Sequence, residues 1–253
     1  YKPYAYRKSS YGKLVALDGK RVNKIYNPDR EEKGLYESDL NPEMRTLIDL
    51  YTDSDEASVG HIPLFIDIEV DISTGFPTPE KAENEVTSIA IFDEAGDQRC
   101  VWILDKDGVV ENVSKPGYEV TSCSDERTLL SRFLVKYQEI RPTLITGWNI
   151  DFFDIPYLYN RMCHIIGEKQ ARALSPINDV IWLKHRNRYR ISGVSCLDYM
   201  ALYKNFTYNQ ESSYSLEAIS QKELGKGKIK YEGSLTDLMK NDIQGYIDYN
   251  MND

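Results

Sequence analysis

Asp67 and Glu69 stand two residues apart inside Leu64–Val70, a run whose alternate residues are aliphatic. Strand alternation puts Leu64, Ile66, Ile68 and Val70 on one face and Phe65, Asp67 and Glu69 on the other. The first face is wholly apolar and belongs against a core. Two carboxylates together on the second repel each other and lose solvation if that face is covered. A divalent cation removes both objections, and hard carboxylate oxygens suit magnesium or manganese. The plainer reading is a half-exposed strand with its polar face in water.

A second set lies in TGWNIDFFDIPYLYNR (146–161). A short apolar strand ends at Trp148, and a polar loop carries Asn149, Asp151 and Asp154 into a helix with Pro156 in its first turn. For an isolated Asp at this position, helix N-capping is the better reading of Asp154. Asp151 reads as a solvated loop side chain. The third set is YIDYNMND (246–253), where a helix would put Tyr249 and Asp253 on one face. A Tyr and a carboxylate together can hold and orient a metal-bound water. An ordinary tyrosine pKa near ~10 makes Tyr249 a positioner rather than a base at neutral pH. By itself this pair is weak, because acidic helices produce such spacings by chance.

The elements that must position these residues are legible in outline. Residues 11–17, the Asp18-Gly19 turn dipeptide and RVNKIY predict an opening β-hairpin. Asn41-Pro42-Glu43 starts a helix that runs to about residue 51. The polar stretch 52–60 ends in Gly and marks a boundary between a first domain over 1–60 and a second over 61–253. From residue 62 the texture changes to strands over IPLFIDIEV, EVTSIAIF (85–92), CVWILD (100–105) and LITGW (144–148). Helices are predicted over 125–140, from about 154, over 216–222 behind a Ser215 cap, and as one last helix from about 234. Strands alternating with helices indicate an α/β domain with a mixed sheet.

Composition limits the function classes. The 253 residues are 41% hydrophobic and 11% aromatic, which excludes wholesale disorder. No apolar run approaches the ~18 residues of a membrane span, and the start lacks a signal-peptide layout. Cys100, Cys123, Cys163 and Cys196 form no CxxC pair and suit a reducing, cytoplasmic compartment, the host's if the source is viral. His61, His164 and His185 fit no ligand spacing. The net charge of −9 argues, as an average, against a nucleic-acid partner. The average conceals two basic patches. Residues 1–30 carry eight basic side chains against Asp18 and Asp29, and residues 172–190 carry five against Asp179. Each patch also reads as an ordinary solvated face.

The ordered set FIDIEV, TGWNIDFFDIPYLYNR and YNMND closely resembles the exonuclease motifs of family B DNA polymerases, with the tailed-phage branch most similar. FPTPEKAENEVTSI (76–89), GVSCLDYMALYKNF (193–206), SYSLEAIS (213–220) and GKGKIKYEG (225–233) resemble that branch too, so the likeness covers essentially all of 61–253. It implies a ribonuclease-H-like (DnaQ-like) exonuclease fold, an α/β arrangement with a mixed sheet flanked by helices. A small, partial N-terminal α+β domain would precede it, since 1–60 resembles that family's N-terminal domain loosely.

Carried over by position, the resemblance makes Asp67, Glu69, Asp154 and Asp253 the metal ligands. Tyr249 becomes the holder of the attacking water or scissile phosphate. Asn149 and Phe153 would lie near the substrate end, with Phe153 stacking on a base. Lys228 would contact phosphate or water, and Phe76 would lie close to the bound strand. The cofactors implied are two divalent cations, Mg2+ or Mn2+, which together activate a water and stabilise the leaving 3′ oxygen. The implied activity is 3′–5′ DNA exonuclease proofreading, with release of a nucleoside monophosphate. The partners implied are a single-stranded DNA 3′ end or primer–template, the polymerase domain of the same chain, and a sliding clamp, but no membrane.

The basic segment 178–192 looks shorter than the corresponding phage hairpin, and its Lys184, Arg186 and Arg188 suit strand contact. Neither a DxxSLYPS-like segment nor a DTD motif occurs, so the chain reads as a portion of a longer polymerase. Two alternatives stand beside the editing nuclease. One is a catalytically weak fragment that binds DNA or the polymerase domain, and the other is an exoribonuclease of the same fold.

Overall fold

The computed structural model describes residues 3–252 except 30, 31, 58, 209, 232 and 234. The chain divides into two compact units, Tyr1–Val59 and Gly60–Asp253. In the first, β1 (Tyr4–Lys8), β2 (Leu14–Val15), β3 (Arg21–Tyr26) and β4 (Leu35–Tyr36) form a sheet in the order β2-β3-β1-β4, followed by helix α1 (Pro42–Tyr51). The Asp18-Gly19 turn forms, with Gly19 at φ 79° and the Ala16 N–H bonded to the Lys20 carbonyl at 2.9 Å. The strand before it is shorter than expected, because the Gly12 N–H closes a turn onto Ser9 and consumes the start of the segment. Asn41 caps α1 by accepting from the Met44 N–H at 2.7 Å.

The second unit holds β5 (Pro63–Val70), β6 (Val86–Asp93), β7 (Gln98–Leu104), β8 (Val113–Lys115), β9 (Tyr118–Cys123) and β10 (Leu144–Gly147). With β13 (Ser195–Asp198) they make a seven-stranded sheet ordered β13-β10-β5-β6-β7-β9-β8, while β11 (Val180–Leu183) and β12 (Arg188–Ile191) form a separate hairpin. The sheet is mixed: β5 runs antiparallel to β6 and parallel to β10. The helices are α2 (Glu126–Ile140), α3 (Asp154–Ile165), α4 (Glu168–Ala171), α5 (Tyr199–Phe206), α6 (Leu216–Leu224), α7 (Leu235–Asn241) and α8 (Ile243–Asn252).

Helices cover both faces of this sheet. On one, Leu64, Ile66 and Ile68 bury against Leu130 and Phe133 of α2 and Leu158 and Met162 of α3. On the other, Ala90, Val101, Ile103 and Val120 meet Leu238 of α7 and Tyr246 and Ile247 of α8. The mixed α/β sheet flanked by helices is therefore the architecture observed.

Two further features differ from the sequence reading. The single last helix is broken, because Asp242 ends α7 and turns its carboxylate onto the Gly245 N–H at 2.9 Å, which starts α8. Strands β8 and β9 are absent from the periodicity because they are short and polar-rich, and β9 owes its extension to parallel pairing with β7. His164 is exposed. Cys100 and Cys123 are buried free thiols whose pKa values burial pushes up to about 11, so both pack as protonated side chains. Among the described residues no helix is long and apolar enough to cross a membrane.

Candidate active site

Asp67 and Glu69 emerge half-buried from β5, on the face opposite Leu64, Ile66 and Ile68. Their neighbours across β6 are small, Ala90 opposite Asp67 and Ser88 opposite Glu69, and a register shift between Glu69 and Val70 bends the strand as it leaves the sheet. Helix α8 docks beside them: Ser88 bonds to Asn250, and the Tyr246 hydroxyl lies 3.2 Å from the Ser88 hydroxyl.

Asp154 reaches the same place from the opposite layer. Strand β10 pairs with β5 only as far as Thr146, which leaves the Ile68 N–H beyond its end. The chain turns away at Gly147, where a Cβ would stand 2.4 Å from the Ile66 carbonyl oxygen, so no larger residue fits without moving a strand. The loop that follows brings the Asp154 carboxylate to the vacant strand edge, where Oδ1 accepts from the Ile68 N–H at 3.2 Å. The capping alternative does not hold. Phe153 occupies the N-cap position of α3 without a side-chain cap bond, and Asp154 is the first helical residue, 4% exposed.

Burial raises the Asp154 pKa well above the ordinary carboxylate range, and the negative charges of Asp67 and then Glu69 raise it further, while the Ile68 N–H pulls it down. A buried carboxylate held against two like charges fits a divalent cation, which restores the ionised form and offers hard oxygen ligands their preferred partner. Among the described residues no group of three or more His, Cys, Asp or Glu side chains is already arranged to hold an ion. The fourth expected ligand, Asp253, lies outside the described residues.

Around the carboxylates is a cleft of ≈ 950 Å³ whose lining includes Asp67, Glu69, Asp154, Tyr249, Lys228 and Asn149. Tyr249, 6% exposed, comes from α8 with its ring edge-on to Tyr231 at 5.4 Å. Lys228 comes from the loop after α6 and donates from Nζ to the Tyr249 hydroxyl at 3.1 Å. Glu217 anchors that loop by accepting from the Lys228 N–H. Phe76 and Phe153 line the cleft as well. Phe76 is 76% exposed and meets the Phe153 ring at 5.5 Å, and Phe153 in turn stacks on buried Tyr157 at 5.4 Å. A free aromatic face backed by two fixed rings can hold a flat, apolar-faced ligand such as a base.

Asp151 corrects the sequence reading. It is 5% exposed rather than solvated, and it pairs with Arg188 of β12. Burial raises its pKa and the Arg188 guanidinium lowers it. Of the three basic residues expected to touch a strand, Arg188 is half-buried and paired with Asp151, while Lys184 and Arg186 are exposed in the turn of the hairpin. Two structural residues were not singled out from the sequence. Glu126, at the start of α2, makes a two-pronged bond with Arg161 of α3 at 2.7 and 2.6 Å and accepts from the Val86 N–H at 2.8 Å. Asp198, at the end of β13, accepts from the N–H groups of Asn149 and Asp151. Both partnerships join segments tens of residues apart, so no local pattern announces them.

Residues 34–219 match the family described as DNA polymerase family B, exonuclease domain. The DNA-directed DNA polymerase of Escherichia phage RB69 is 36% identical over 214 residues, and that of Enterobacteria phage T4 is 35% identical over 217. Each match covers 74% of this chain and 24% of the phage protein. DNA polymerase 1 of Aeropyrum pernix is 32% identical over 209 residues, covering 78% of this chain and 20% of its own length. The chain thus spans about a quarter of the length of the phage relatives it matches.

Proposed function

The chain belongs to the family B DNA polymerase exonuclease-domain family, and on that premise we propose that it removes nucleotides from the 3′ end of single-stranded DNA as the editing module of a polymerase. The observation that carries this reading is the convergence of Asp67, Glu69 and Asp154 from two layers of the fold onto one cleft. Asp67, Glu69, Asp154 and Asp253 would hold two divalent cations, Mg2+ or Mn2+. Bound there, the cations supply Lewis acidity toward the attacking water and the leaving 3′ oxygen.

The chain's own side chains bind and orient. Phe76 and Phe153 hold the terminal base by stacking, and Asn149 contacts the terminal nucleotide. Lys228 keeps the Tyr249 hydroxyl fixed at 3.1 Å, so that it presents a hydrogen bond to the water or to a phosphate oxygen. The ammonium of Lys228 adds positive charge beside the phosphate. The wider partners of this reading are a primer–template, the polymerase domain and a sliding clamp.

The test is release of mononucleotides from a 5′-labelled single-stranded oligodeoxynucleotide in Mg2+ or Mn2+. Asp154→Ala is expected to abolish release while leaving the oligonucleotide bound, and retained cleavage in that variant contradicts the assignment. A matched oligoribonucleotide is expected to be cut far more slowly; equal or faster cutting would indicate an exoribonuclease.

A further inference from the structure

Asp198 stands at the end of β13, level with Gly147 of the neighbouring parallel strand β10, and is 3% exposed. Its carboxylate serves three donors. Oδ1 accepts from the Ala201 N–H and from the Asn149 N–H, each at 3.2 Å, and Oδ2 accepts from the Asp151 N–H at 3.2 Å. The Ala201 bond is an ordinary helix cap for α5. The other two bonds are not needed for capping and cross 49 and 47 residues of sequence. They converge on one carboxylate because Asn149 adopts a left-handed backbone with φ 67°, a conformation that aims nearby N–H groups at a common anion. On its outer side the same loop is held by the Arg188–Asp151 pair.

We infer that Asp198 is a positioning residue for Asp154: by fixing the backbone of 149–151 from within, it sets where the chain enters α3 and holds the Asp154 carboxylate at the open edge of β5. The loop ends three residues before Asp154, and the Ile155 N–H bonds back to the Ile150 carbonyl at 3.0 Å, so a shift of the loop passes directly into the first turn of α3. Asparagine at 198 would keep the shape but offer one acceptor oxygen and one amide donor. One loop N–H would then face another donor and move away. The inference rests on the editing reading of the cleft.

The test compares the full chain with Asp198→Asn and, as a control, with Asp125→Asn, which changes a cap carboxylate on α2. Calorimetric titration with Mn2+ alone is the first readout, and release kinetics on single-stranded DNA are the second. Asp198→Asn is expected to bind Mn2+ about 10–100-fold more weakly and to lose a similar factor in kcat, with KM for the oligonucleotide little changed. Asp125→Asn is expected to match wild type. A folded Asp198→Asn chain that binds Mn2+ as tightly as wild type overturns the inference. If that variant does not fold, Arg188→Met releases Asp151 on the outer side of the loop and is expected to weaken Mn2+ binding in the same direction; unchanged affinity there is equally contrary. Wild type that neither binds Mn2+ nor cuts contradicts the editing reading, whereas wild type that does both beside an unaffected Asp198→Asn contradicts the positioning role alone.

Discussion

Asp154 is the residue on which geometry and electrostatics bear most heavily. Its carboxylate is buried beside two others, so without a cation its ionised form is destabilising. Because its folded-state pKa is raised above the unfolded value, the stabilising contribution belongs to the protonated form and is lost as pH rises through the raised pKa. In metal-free protein, Asp154→Asn is therefore expected to raise Tm near pH 7 and to have little effect near pH 4. Mn2+ should raise the Tm of wild type at about pH 7 more than that of the variant, and thermal scans with and without chelator check both outcomes. At this scale the sequence was legible where chemistry and local period agree. Asp67 and Glu69 follow from strand alternation alone. Asp154 read locally as a cap, and as a ligand only through the family resemblance, because its deciding partner, the Ile68 N–H, lies 86 residues away. Asp151 was misread as solvated because its partners Arg188 and Asp198 lie 37 and 47 residues further along the chain.

Among the elements, α2, α3 and the segment before β6 meet at Glu126 and Arg161, where three side-chain and main-chain partners are satisfied out of water. Glu126→Ala would leave the Arg161 guanidinium buried without its counter-charge, and the expected cost is about 3–5 kcal/mol, read from chemical denaturation. The hairpin of β11 and β12 behaves differently. Arg188 is half-buried and paired with Asp151, but Lys184 and Arg186 sit exposed in its turn. Neutralising both to Gln should weaken binding of single-stranded DNA at low salt and reduce the salt slope by roughly 0.7 per charge. An unchanged slope would mean that the strand runs elsewhere. The long periodic elements were readable from the sequence, whereas the short strands β8 and β9 and the break at Asp242 depend on tertiary pairing and a side-chain cap.

For the whole molecule, the net charge of −9 was the objection to a DNA-handling role. Four acids belong to the proposed metal set, and two divalent cations would offset all four. Basic side chains gathered in 1–30 and 172–190 leave the remaining acidity spread over other surfaces. DNA binding by this chain is thus expected to be weaker in chelator than in Mn2+ at the same ionic strength, which a fluorescence anisotropy titration would measure. The central claim, that the carboxylates of two layers form one metal-dependent editing centre, is tested most directly by anomalous diffraction from crystals of the chain with Mn2+ and a thymidine monophosphate product. Two peaks about 2 Å from oxygens of Asp67, Glu69 and Asp154 are predicted. No peak in the cleft, or manganese bound only elsewhere, would contradict the account.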